Sequence, residues 1–363
     1  MRIAIFCMCA TSTKPDILTP SPFIRALPKA ELHLHLEGTV APATLVELSS
    51  RNHSRLPWDA NRYGPSAGGA LDAAAVRRLY QYDDFHGFLM AFKAVTERLR
   101  TPGDYETVAY KMMEQLRAQN VLHAEVYVSV GVVHWRGQDF APIFEGLERG
   151  RIAGERDFGI SLLWIFDAVR NFGVEAAQLV AEDAARFRDR NVIGIGIGGD
   201  ERKGPAEMFK DVYAYAAGQG LHLTAHAGES AGPESIWGAL NMGAERIGHG
   251  LTAGQDPELI EILAERQIPI EVCITSNVKT QCLAHSSEHP LGRYFHQGLM
   301  TTINTDDPAM FGVTLNQEYQ LAQDLFDFTD DHLREIARNS FEASFLAAEK
   351  KVEFLHMVDE VTP

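Results

Sequence analysis

The sequence predicts an α/β barrel of eight parallel strands, with helices around the outside. Two observations carry this prediction: short β-rich runs alternate with stretches of helical pattern, and several of the runs are almost wholly apolar. Strands that are covered by helices on both faces have this composition, and eight alternating units close into a barrel. A doubly wound open sheet is the alternative. The predicted strands are residues 31–36, 121–130, 160–167, 192–197, 221–227, 246–249, 268–274 and 300–305.

Several of the helices between these strands have a clear start in the sequence. The helical stretches at residues 205–217, 233–240 and 257–265 each begin with proline, which suits the first turn of a helix. A further helical stretch at 329–349 follows the last strand. We therefore expect each of these helices to follow a strand and to cover the sheet.

The first two predicted strands are separated by an unusually long segment, residues 38–120. It contains helical patterns at 85–99 and 104–119, and we expect it to form a helical insertion over the carboxyl-terminal mouth of the barrel. One barrel accommodates 363 residues. The expected divisions are an N-terminal leader at 1–26, the barrel at 27–348 with its insertion, and a C-terminal tail at 349–363.

Composition excludes several classes of partner. The formal net charge of −16 gives a surface that repels phosphate backbones, which argues against general nucleic-acid binding. The apolar N-terminal run is too short to span a bilayer, and we expect no membrane partner. Four cysteines without a C-x-x-C pair form no disulfide framework, so a reducing cytoplasm is the expected location. The sequence does not indicate an oligomeric state.

The first candidate site residues, His33 and His35, lie on the first predicted strand. Alternate residues of a strand point the same way, so both imidazoles face one side, where neutral rings are good zinc ligands. Alone, this pair is more simply explained as two surface histidines. His226 and Glu229 end the fifth predicted strand, although a histidine in an apolar run is commonly a satisfied core residue.

Two further groups follow later strands. His249 stands between two glycines at the end of the sixth strand, where a turn histidine is the simpler interpretation. Asp306 and Asp307 follow the eighth strand, and capping of a helix that begins at Pro308 is the alternative. The joint placement decides between these interpretations, because barrel enzymes assemble their sites at the carboxyl ends of strands. All four groups lie there.

Two other patterns carry no chemistry. Residues 123–125 match the H-x-E of one class of zinc deaminase, but the P-C-x-x-C segment of that class is missing. Residues 194–199 match G-x-G-x-x-G, but no helix opens directly after the match, as a dinucleotide site requires. Both patterns are interpreted as ordinary strand sequence.

Four motifs together resemble the adenosine deaminase family of the amidohydrolase superfamily. They are P-K-A-E-L-H-L-H-L-E-G at 28–38, H-A-G-E at 226–229, G-H-G at 248–250 and N-T-D-D-P at 304–308. The resemblance implies a distorted (β/α)8 TIM barrel of the metal-dependent hydrolase type, with one zinc ion. It also implies hydrolytic removal of the 6-amino group of a purine, which leaves a 6-oxopurine and ammonia.

The same resemblance assigns roles to individual residues. By this resemblance, Glu229 matches the family's catalytic acid, which protonates N1 of the purine. His249 matches the family's catalytic base, which orients and deprotonates the attacking water. Asp307 matches the residue that forms a hydrogen bond with purine N7, and Gly199 matches the glycine whose backbone N–H meets purine N3. The implied zinc ligands are His33, His35, His226 and Asp306. The residues expected to contact substrate are His35, Glu37, Phe88, Ser129, Arg170, Gly199 and Asp307.

Residues 193–199, at the end of the fourth strand, contain no lysine. Relatives with two metals carry a carboxylated lysine at this position, so the sequence favours a single metal. Phe85, Phe88, Leu89 and Phe92 form one helical stripe. A core face is the simpler interpretation of this stripe, and a lid over the substrate is the alternative that the resemblance suggests.

The substrate prediction rests on the residues expected around the 5′ end of the nucleoside. Glu37 stands where adenosine deaminases usually carry Asp, whereas the glycines at 198 and 248 match the nucleoside enzymes. The segments 129–136 and 167–170 are similar to enzymes that act on 6-amino-6-deoxyfutalosine, whose 5′ group is acidic, and Arg170 and Arg136 are candidate partners for it. We expect an adenosine-type nucleoside, adenosine or aminodeoxyfutalosine. Free adenine is the alternative, and a catalytically inactive binding relative is a weaker one.

Overall fold

A computed structural model describes residues 18–52, 72–82 and 84–362 of the chain. Residues 1–17 of the predicted leader and 53–71 of the predicted insertion lie outside the described residues. Eight parallel strands follow one another around a single sheet in chain order. The strands are β1 (Lys29–His35), β2 (Val121–Val128), β3 (Ser161–Val169), β4 (Val192–Gly198), β5 (His222–Ala227), β6 (Arg246–His249), β7 (Ile270–Val272) and β8 (Thr301–Ile303).

The sheet closes where the extension of β8 meets β1. The backbone N–H of His35 donates to Asp306 O at 2.9 Å, and Asp306 N–H donates to His33 O at 3.0 Å. Leu34 and Asp306 form a parallel bridge between the same two segments. The predicted eight-stranded barrel is confirmed, and each predicted strand overlaps an observed one.

Helices cover the outside of the barrel and the mouth. In chain order they are α1 (Pro22–Ala26), α2 (Pro42–Arg51), α3 (Ala73–Leu79), α4 (Phe85–Thr96), α5 (Pro102–Ala118), α6 (Val130–Trp135), α7 (Phe140–Phe158), α8 (Val174–Phe187), α9 (Lys210–Gly218), α10 (Pro233–Asn241), α11 (Pro257–Glu265), α12 (Ile274–Lys279), α13 (Leu291–His296), α14 (Pro308–Phe311), α15 (Leu315–Phe326), α16 (Asp330–Glu342) and α17 (Ala348–Asp359).

Local sequence sets several of these helix starts. Proline occupies the first turn of α5, α10 and α11, where its missing N–H costs no hydrogen bond. Thr101 also caps α5 in a capping box with Asp104, which satisfies two of the free N–H groups at that end. The helix predicted at 205–217 begins instead with a 3₁₀ turn at Ala206–Phe209, and α9 continues from it.

The segment predicted as an insertion has two parts with different positions. Helix α5 packs along α7 and against β2, so it belongs to the outer ring of the barrel. Helix α4 contacts the turn that follows β1 and the helix α14 after β8, so it lies at the mouth. The predicted tail at 349–363 contains most of α17, which packs against α16 with the rings of Phe341 and Phe354 5.2 Å apart.

The core lies between the barrel and its helices, and the strands are buried almost throughout. Side chains of β1, β2 and β6 are buried at every position, as the apolar runs of the sequence predicted. Among the described residues, no helix is both long and apolar enough to cross a membrane.

Because all eight strands are parallel, their carboxyl ends meet at one face of the barrel, and the candidate site lies there.

Candidate active site

Four predicted ligand residues converge at the mouth of the barrel. One side-chain donor atom from each of His33, His35, His226 and Asp306 lies within 4.8 Å of the others, and all four residues are buried. His33 Nε2 and His35 Nε2 lie 3.1 Å and 3.2 Å from His226 Nε2. Asp306 Oδ1 lies 3.3 Å from His35 Nε2. Three imidazole nitrogens and one carboxylate oxygen at this spacing can hold one divalent metal ion.

The surroundings of these residues leave the lone pairs of their ligand atoms available to bind a metal ion. Burial lowers the pKa of His35 to about 4, so its ring is neutral at ordinary pH. The Nδ1–H of His33 donates to Glu271 Oε2 at 2.7 Å, and this bond turns Nε2 of the same ring towards the cluster. Ser276 donates to Asp306 Oδ2 at 2.6 Å, which fixes the second oxygen of that ligand.

Glu271 belongs to a chain of charges that runs down the barrel interior. Its other oxygen, Oε1, accepts from Arg246 Nε at 2.6 Å, and Arg246 Nη1 donates to Glu125 Oε2 at 2.5 Å. Glu125 also accepts from His123 and from the backbone of Phe345. The H-x-E pattern at 123–125 is thus part of this internal network. The network supports the metal ligand His33 from below.

Glu229 and His249 lie next to the ligand cluster. The side-chain amide of Asn277 donates to His249 Nδ1 at 3.0 Å, which leaves Nε2 turned towards Glu229 Oε2, 3.6 Å away. Burial raises the pKa of Glu229, and the negative charges of Asp306 and Glu201 raise it further. A half-buried carboxyl with a raised pKa can carry a proton at neutral pH and deliver it to a ring nitrogen.

Asp307 lies across the mouth from Glu229 and packs directly on Gly38. A side chain at Gly38 would overlap Asp307, since a Cβ there would lie 2.2 Å from its Oδ1. The glycine that follows Glu37 is therefore required for Asp307 to take this position. Burial raises the pKa of Asp307 well above its usual value, and the neighbouring Asp306 adds to this shift. The alternative that Asp307 caps the following helix is not supported, because its side chain makes no cap hydrogen bond to α14.

Two more buried carboxyls face the same space. Glu37 Oε1 accepts from the backbone N–H of Ser129 at 3.1 Å, so the structure brings these two predicted substrate residues together. Burial raises the pKa of Glu37 to about 7, and the nearby charge of Arg136 opposes this only in part. Asp167, at the end of β3, lies beside the ring of His226, since a side chain at Gly198 would meet both.

Each of these carboxyls has an oxygen without a protein partner. Within the described part of the chain, Glu37 Oε2, Asp167 Oδ1 and Asp307 Oδ1 are buried and make no hydrogen bond. Buried polar atoms in proteins are nearly always satisfied, and exceptions cluster where a ligand or water supplies the partner. The three oxygens therefore mark the space in which a polar ligand binds.

The remaining predicted substrate residues lie at the rim. Gly199 follows β4 in a left-handed conformation, with φ +98°, and leads into the loop at 200–204. Phe88 of α4 stacks on Phe311 of α14 with ring centroids 5.2 Å apart. Its neighbours Phe85 and Leu89 are 47% and 45% exposed, whereas Phe88 and Phe92 are partly buried against the core, so the apolar stripe is a core face only in part. The position of this stripe fits a lid.

Arg170 differs from its prediction as a partner of the substrate's 5′ group. It is buried, and its two terminal nitrogens donate to the backbone carbonyls of Gly204 and His226, both at 2.7 Å. Both terminal nitrogens of this guanidinium are therefore engaged by carbonyls, while its Nε is buried without a hydrogen-bond partner among the described residues. Arg136 is half-buried and donates to Thr96 of α4, and its charge acts on Glu37.

Several residues of the site escaped the sequence interpretation. Glu271 had a signal, because an acidic side chain interrupts the apolar run at 268–274. Ser276 and Asn277 had none, since they lie in the short helix α12, whose start was predicted as strand. Asp167 and Glu201 were acidic residues at strand ends. Only the structure shows that they face the site.

Comparison with known proteins agrees with this geometry. An aminodeoxyfutalosine deaminase of Streptomyces avermitilis is 37% identical over 345 residues, which is 94% of this chain and 92% of that protein. A solved adenine deaminase from Arthrobacter aurescens is 30% identical, with a TM-score of 0.84, and the match covers 92% of this chain and 98% of that one. An amidohydrolase from Burkholderia ambifaria, solved with bound zinc, is 27% identical with a TM-score of 0.80 and 93% of each chain covered.

The family model described as adenosine deaminase matches residues 28–361, so the match includes helix α17. The fold, the buried ligand cluster and the paired acid and base agree with a hydrolytic deaminase. The chain belongs to the adenosine deaminase family and is a metal-dependent hydrolytic deaminase.

Proposed function

We propose that this enzyme uses one zinc ion to remove the 6-amino group of an adenine-containing nucleoside. The observation that carries the proposal is the joint geometry of the mouth. His33, His35, His226 and Asp306 converge there, and Glu229 and His249 face each other beside them. A substrate bound there would lie between a metal centre that activates the attacking water and two residues that take part in proton transfer.

The donor set fits zinc. Three imidazole nitrogens and one carboxylate oxygen are donor types that zinc takes in proteins, and His33, His35, His226 and Asp306 would hold the ion. When bound, zinc would activate a water for attack on C6 of the purine. The similar amidohydrolase solved with bound zinc supports the choice of metal.

The chain's own residues account for the proton transfers. Glu229, whose pKa is raised by burial, gives its proton to N1 as water adds to C6 and the ring loses aromaticity. His249 orients the attacking water through Nε2, which carries the hydrogen of the neutral ring because Nδ1 accepts from Asn277. The proton that the water loses passes to the leaving amino group. The C6–N bond then breaks, ammonia leaves with a proton, and a 6-oxopurine remains.

Asp307 and Gly199 orient the base. Purine N7 has only a lone pair to offer, so it needs a donor, and Asp307 with its raised pKa can supply one as a neutral carboxyl. The backbone N–H of Gly199, which has a left-handed conformation after β4, would meet N3. Together they would hold C6 against the proton-transfer groups.

The substrate's sugar end is assigned to Glu37 and Ser129. Glu37 keeps one oxygen free of protein partners within the described residues, and that oxygen can accept from a ribose hydroxyl. Arg136 stands near Glu37 and is the cation that would meet an acidic 5′ group, because Arg170 is engaged by backbone carbonyls. This arrangement and the similar aminodeoxyfutalosine deaminase favour aminodeoxyfutalosine over adenosine. Free adenine remains the second candidate, because the similar solved structure is an adenine deaminase.

A substrate panel on the purified, metal-analysed enzyme tests the proposal. Adenosine, deoxyadenosine, adenine and aminodeoxyfutalosine are compared by kcat/KM, and we expect one zinc per chain and the highest value for a nucleoside. Arg136→Gln should lower kcat/KM for aminodeoxyfutalosine about tenfold, the worth of one charge-assisted hydrogen bond, and leave adenosine nearly unchanged. A wild-type preference for free adenine would replace the nucleoside assignment with the second candidate. Two metals per chain would contradict the single zinc.

A further inference from the structure

The loop after β5 carries the catalytic acid, and it is held by a residue from a neighbouring loop. Glu201 lies in the loop after β4 and is buried. Its carboxylate accepts from three successive backbone N–H groups: those of Gly228 at 2.8 Å, Glu229 at 2.9 Å and Ser230 at 2.7 Å. The hydroxyls of Ser230 and Ser235 donate to the same carboxylate.

This arrangement is an anion-binding nest that a side chain of the protein fills. Successive N–H groups point to one place when a residue takes the left-handed conformation, and Gly228 has φ +66°. A side chain at Gly228 would collide with Ile236, so the turn also requires the absence of a Cβ. Two carboxylate oxygens satisfy all three donors, and no single neutral acceptor could do so.

Arg170 holds the same two loops from the side of β3. Its Nη2 donates to the carbonyl of His226, the ligand residue at the end of β5. Its Nη1 donates to the carbonyl of Gly204, in the loop that carries Glu201. Gly204 packs directly on Arg170, and a Cβ there would lie 2.7 Å from the arginine Cβ.

We propose that Glu201 and Arg170 are positioning residues that fix the segment 226–230, and with it the carboxyl of Glu229, in its catalytic position. The proposal rests on the proposed function, in which Glu229 protonates N1. Arg170 fixes the start of the segment at His226, and Glu201 fixes the turn that follows. The side chain of Glu229 has only long contacts among the described residues, 3.8 Å from Cys282 Sγ to Oε1 and 3.6 Å from His249 Nε2 to Oε2, so its position depends mainly on the backbone that this pair holds.

The catalytic consequence is a loss of turnover with little loss of binding. A shift of about 1 Å in a reacting group can cost about 100-fold in rate. Metal binding should change little in a Glu201 variant, since the ligand atoms of His33, His35 and Asp306 come from other strands. Asp307 is on another loop, and the turn at Gly199 is anchored separately from Glu201 by the bond from Asp200 N–H to Asn171 Oδ1 at 3.0 Å, so KM should be nearly preserved.

Glu201→Gln and Glu148→Gln form a matched pair for the test. Glu148 is also buried and fully engaged, accepting from Trp164 Nε1 at 2.8 Å and from Arg151, but it lies in the outer helix α7. In the zinc-loaded enzyme, Glu201→Gln should lower kcat at least tenfold, with KM within about twofold and one metal retained. Glu148→Gln should leave kcat at the wild-type value. Arg170→Lys, which can keep one carbonyl contact, should fall between the wild type and Arg170→Ala.

Amide hydrogen exchange separates this proposal from the proposed function. The amides of residues 228–230 should be protected in the wild type, exposed in Glu201→Gln and protected in Glu148→Gln. Unchanged protection in Glu201→Gln, or a wild-type kcat in that variant, overturns the proposal. An equal loss of kcat in both variants also overturns it, because it would indicate general loosening. If the wild type deaminates no 6-aminopurine, the proposed function fails, and the exchange pattern still decides whether the two residues hold the loop.

Discussion

Buried carboxyls lie on both sides of the ligand cluster: below it, in the barrel interior, and above it, towards the mouth. The two sets differ in how their oxygens are hydrogen-bonded. Below it, both oxygens of Glu125 and of Glu271 have partners, which include Arg246 in each case. Above it, Glu37, Asp167 and Asp307 each keep one oxygen without a partner in the described residues. The same chemical group thus takes part in an internal ion-pair network on one side of the cluster. On the other side, it leaves one oxygen free to bind a ligand.

The pKa values differ in the same way. Burial raises the pKa of every one of these carboxyls, but below the cluster the charge of Arg246 outweighs burial and brings the pKa of Glu125 to about 2. Above the cluster, no cation does so, and the pKa of Asp167 and of Asp307 stays well above the usual range. The comparison predicts that substitutions below the cluster destabilise the fold, whereas substitutions above it affect mainly catalysis.

The largest expected effect is on activity, at Glu229. Glu229→Gln keeps the shape of the side chain but cannot deliver a proton to N1. We expect kcat to fall about 10²–10⁴-fold, the range for general acid catalysis, with metal content and melting temperature unchanged. Steady-state kinetics and elemental analysis on one preparation measure both. Near-normal turnover would show that another group protonates the ring.

The next effect is on stability, at Glu125. Glu125→Gln leaves Arg246 with one buried carboxylate partner fewer, and breaking such a pair costs about 3–5 kcal/mol. Because folding lowers the pKa of Glu125 from 4.5 to about 2, its contribution is complete above pH 4.5 and is lost as the pH falls towards 2. The difference between wild type and variant in the free energy of unfolding should therefore be large at pH 7 and less than about half as large near pH 3. Denaturant titrations at the two pH values test this, and a difference that does not shrink in acid would contradict it.

A substitution above the cluster should show the opposite balance. Asp167→Leu removes a buried carboxyl that has an unpartnered oxygen and replaces it with an apolar group of similar shape, which is commonly neutral or stabilising. We expect an unchanged or higher free energy of unfolding and a kcat/KM that falls about tenfold, the cost of one ligand hydrogen bond. A large loss of stability with normal kinetics would place Asp167 among the supporting carboxyls instead.

The sequence predicted the barrel because its strands are buried on both faces and therefore stand out as apolar runs. It also predicted the ligands, because His33, His35, His226 and Asp306 lie at strand ends within a recognisable set of motifs. Short-range pattern was sufficient for both.

The supporting contacts were not predictable in this way. Arg170 donates to backbone carbonyls at Gly204 and His226, and a carbonyl acceptor leaves no trace in the sequence. Its charge suggested an acidic substrate group, and only the structure shows that its two terminal nitrogens are held by carbonyls. Glu201 likewise binds backbone N–H groups of a loop that is distant from it in the sequence.

The smallest expected effect is at Phe88, in the part of the mouth farthest from the supporting network. Phe88 stacks on Phe311, while its neighbours on α4 remain largely exposed. A core phenylalanine replaced by alanine costs about 3–5 kcal/mol, and Phe166, which is buried in β3, is a matched control.

Phe88→Ala should lower the free energy of unfolding by less than a core substitution does. It should also raise KM a few-fold, which corresponds to a loss of about 1 kcal/mol or less of apolar contact with the substrate. Thermal melts and kinetics on Phe88→Ala and Phe166→Ala separate the two roles. If Phe88→Ala melts as early as Phe166→Ala and keeps its KM, the stripe on α4 is part of the core. If KM rises alone, α4 closes over the same unpartnered carboxyl oxygens that distinguish the upper half of the site, and the exclusion of water there strengthens their bonds to substrate.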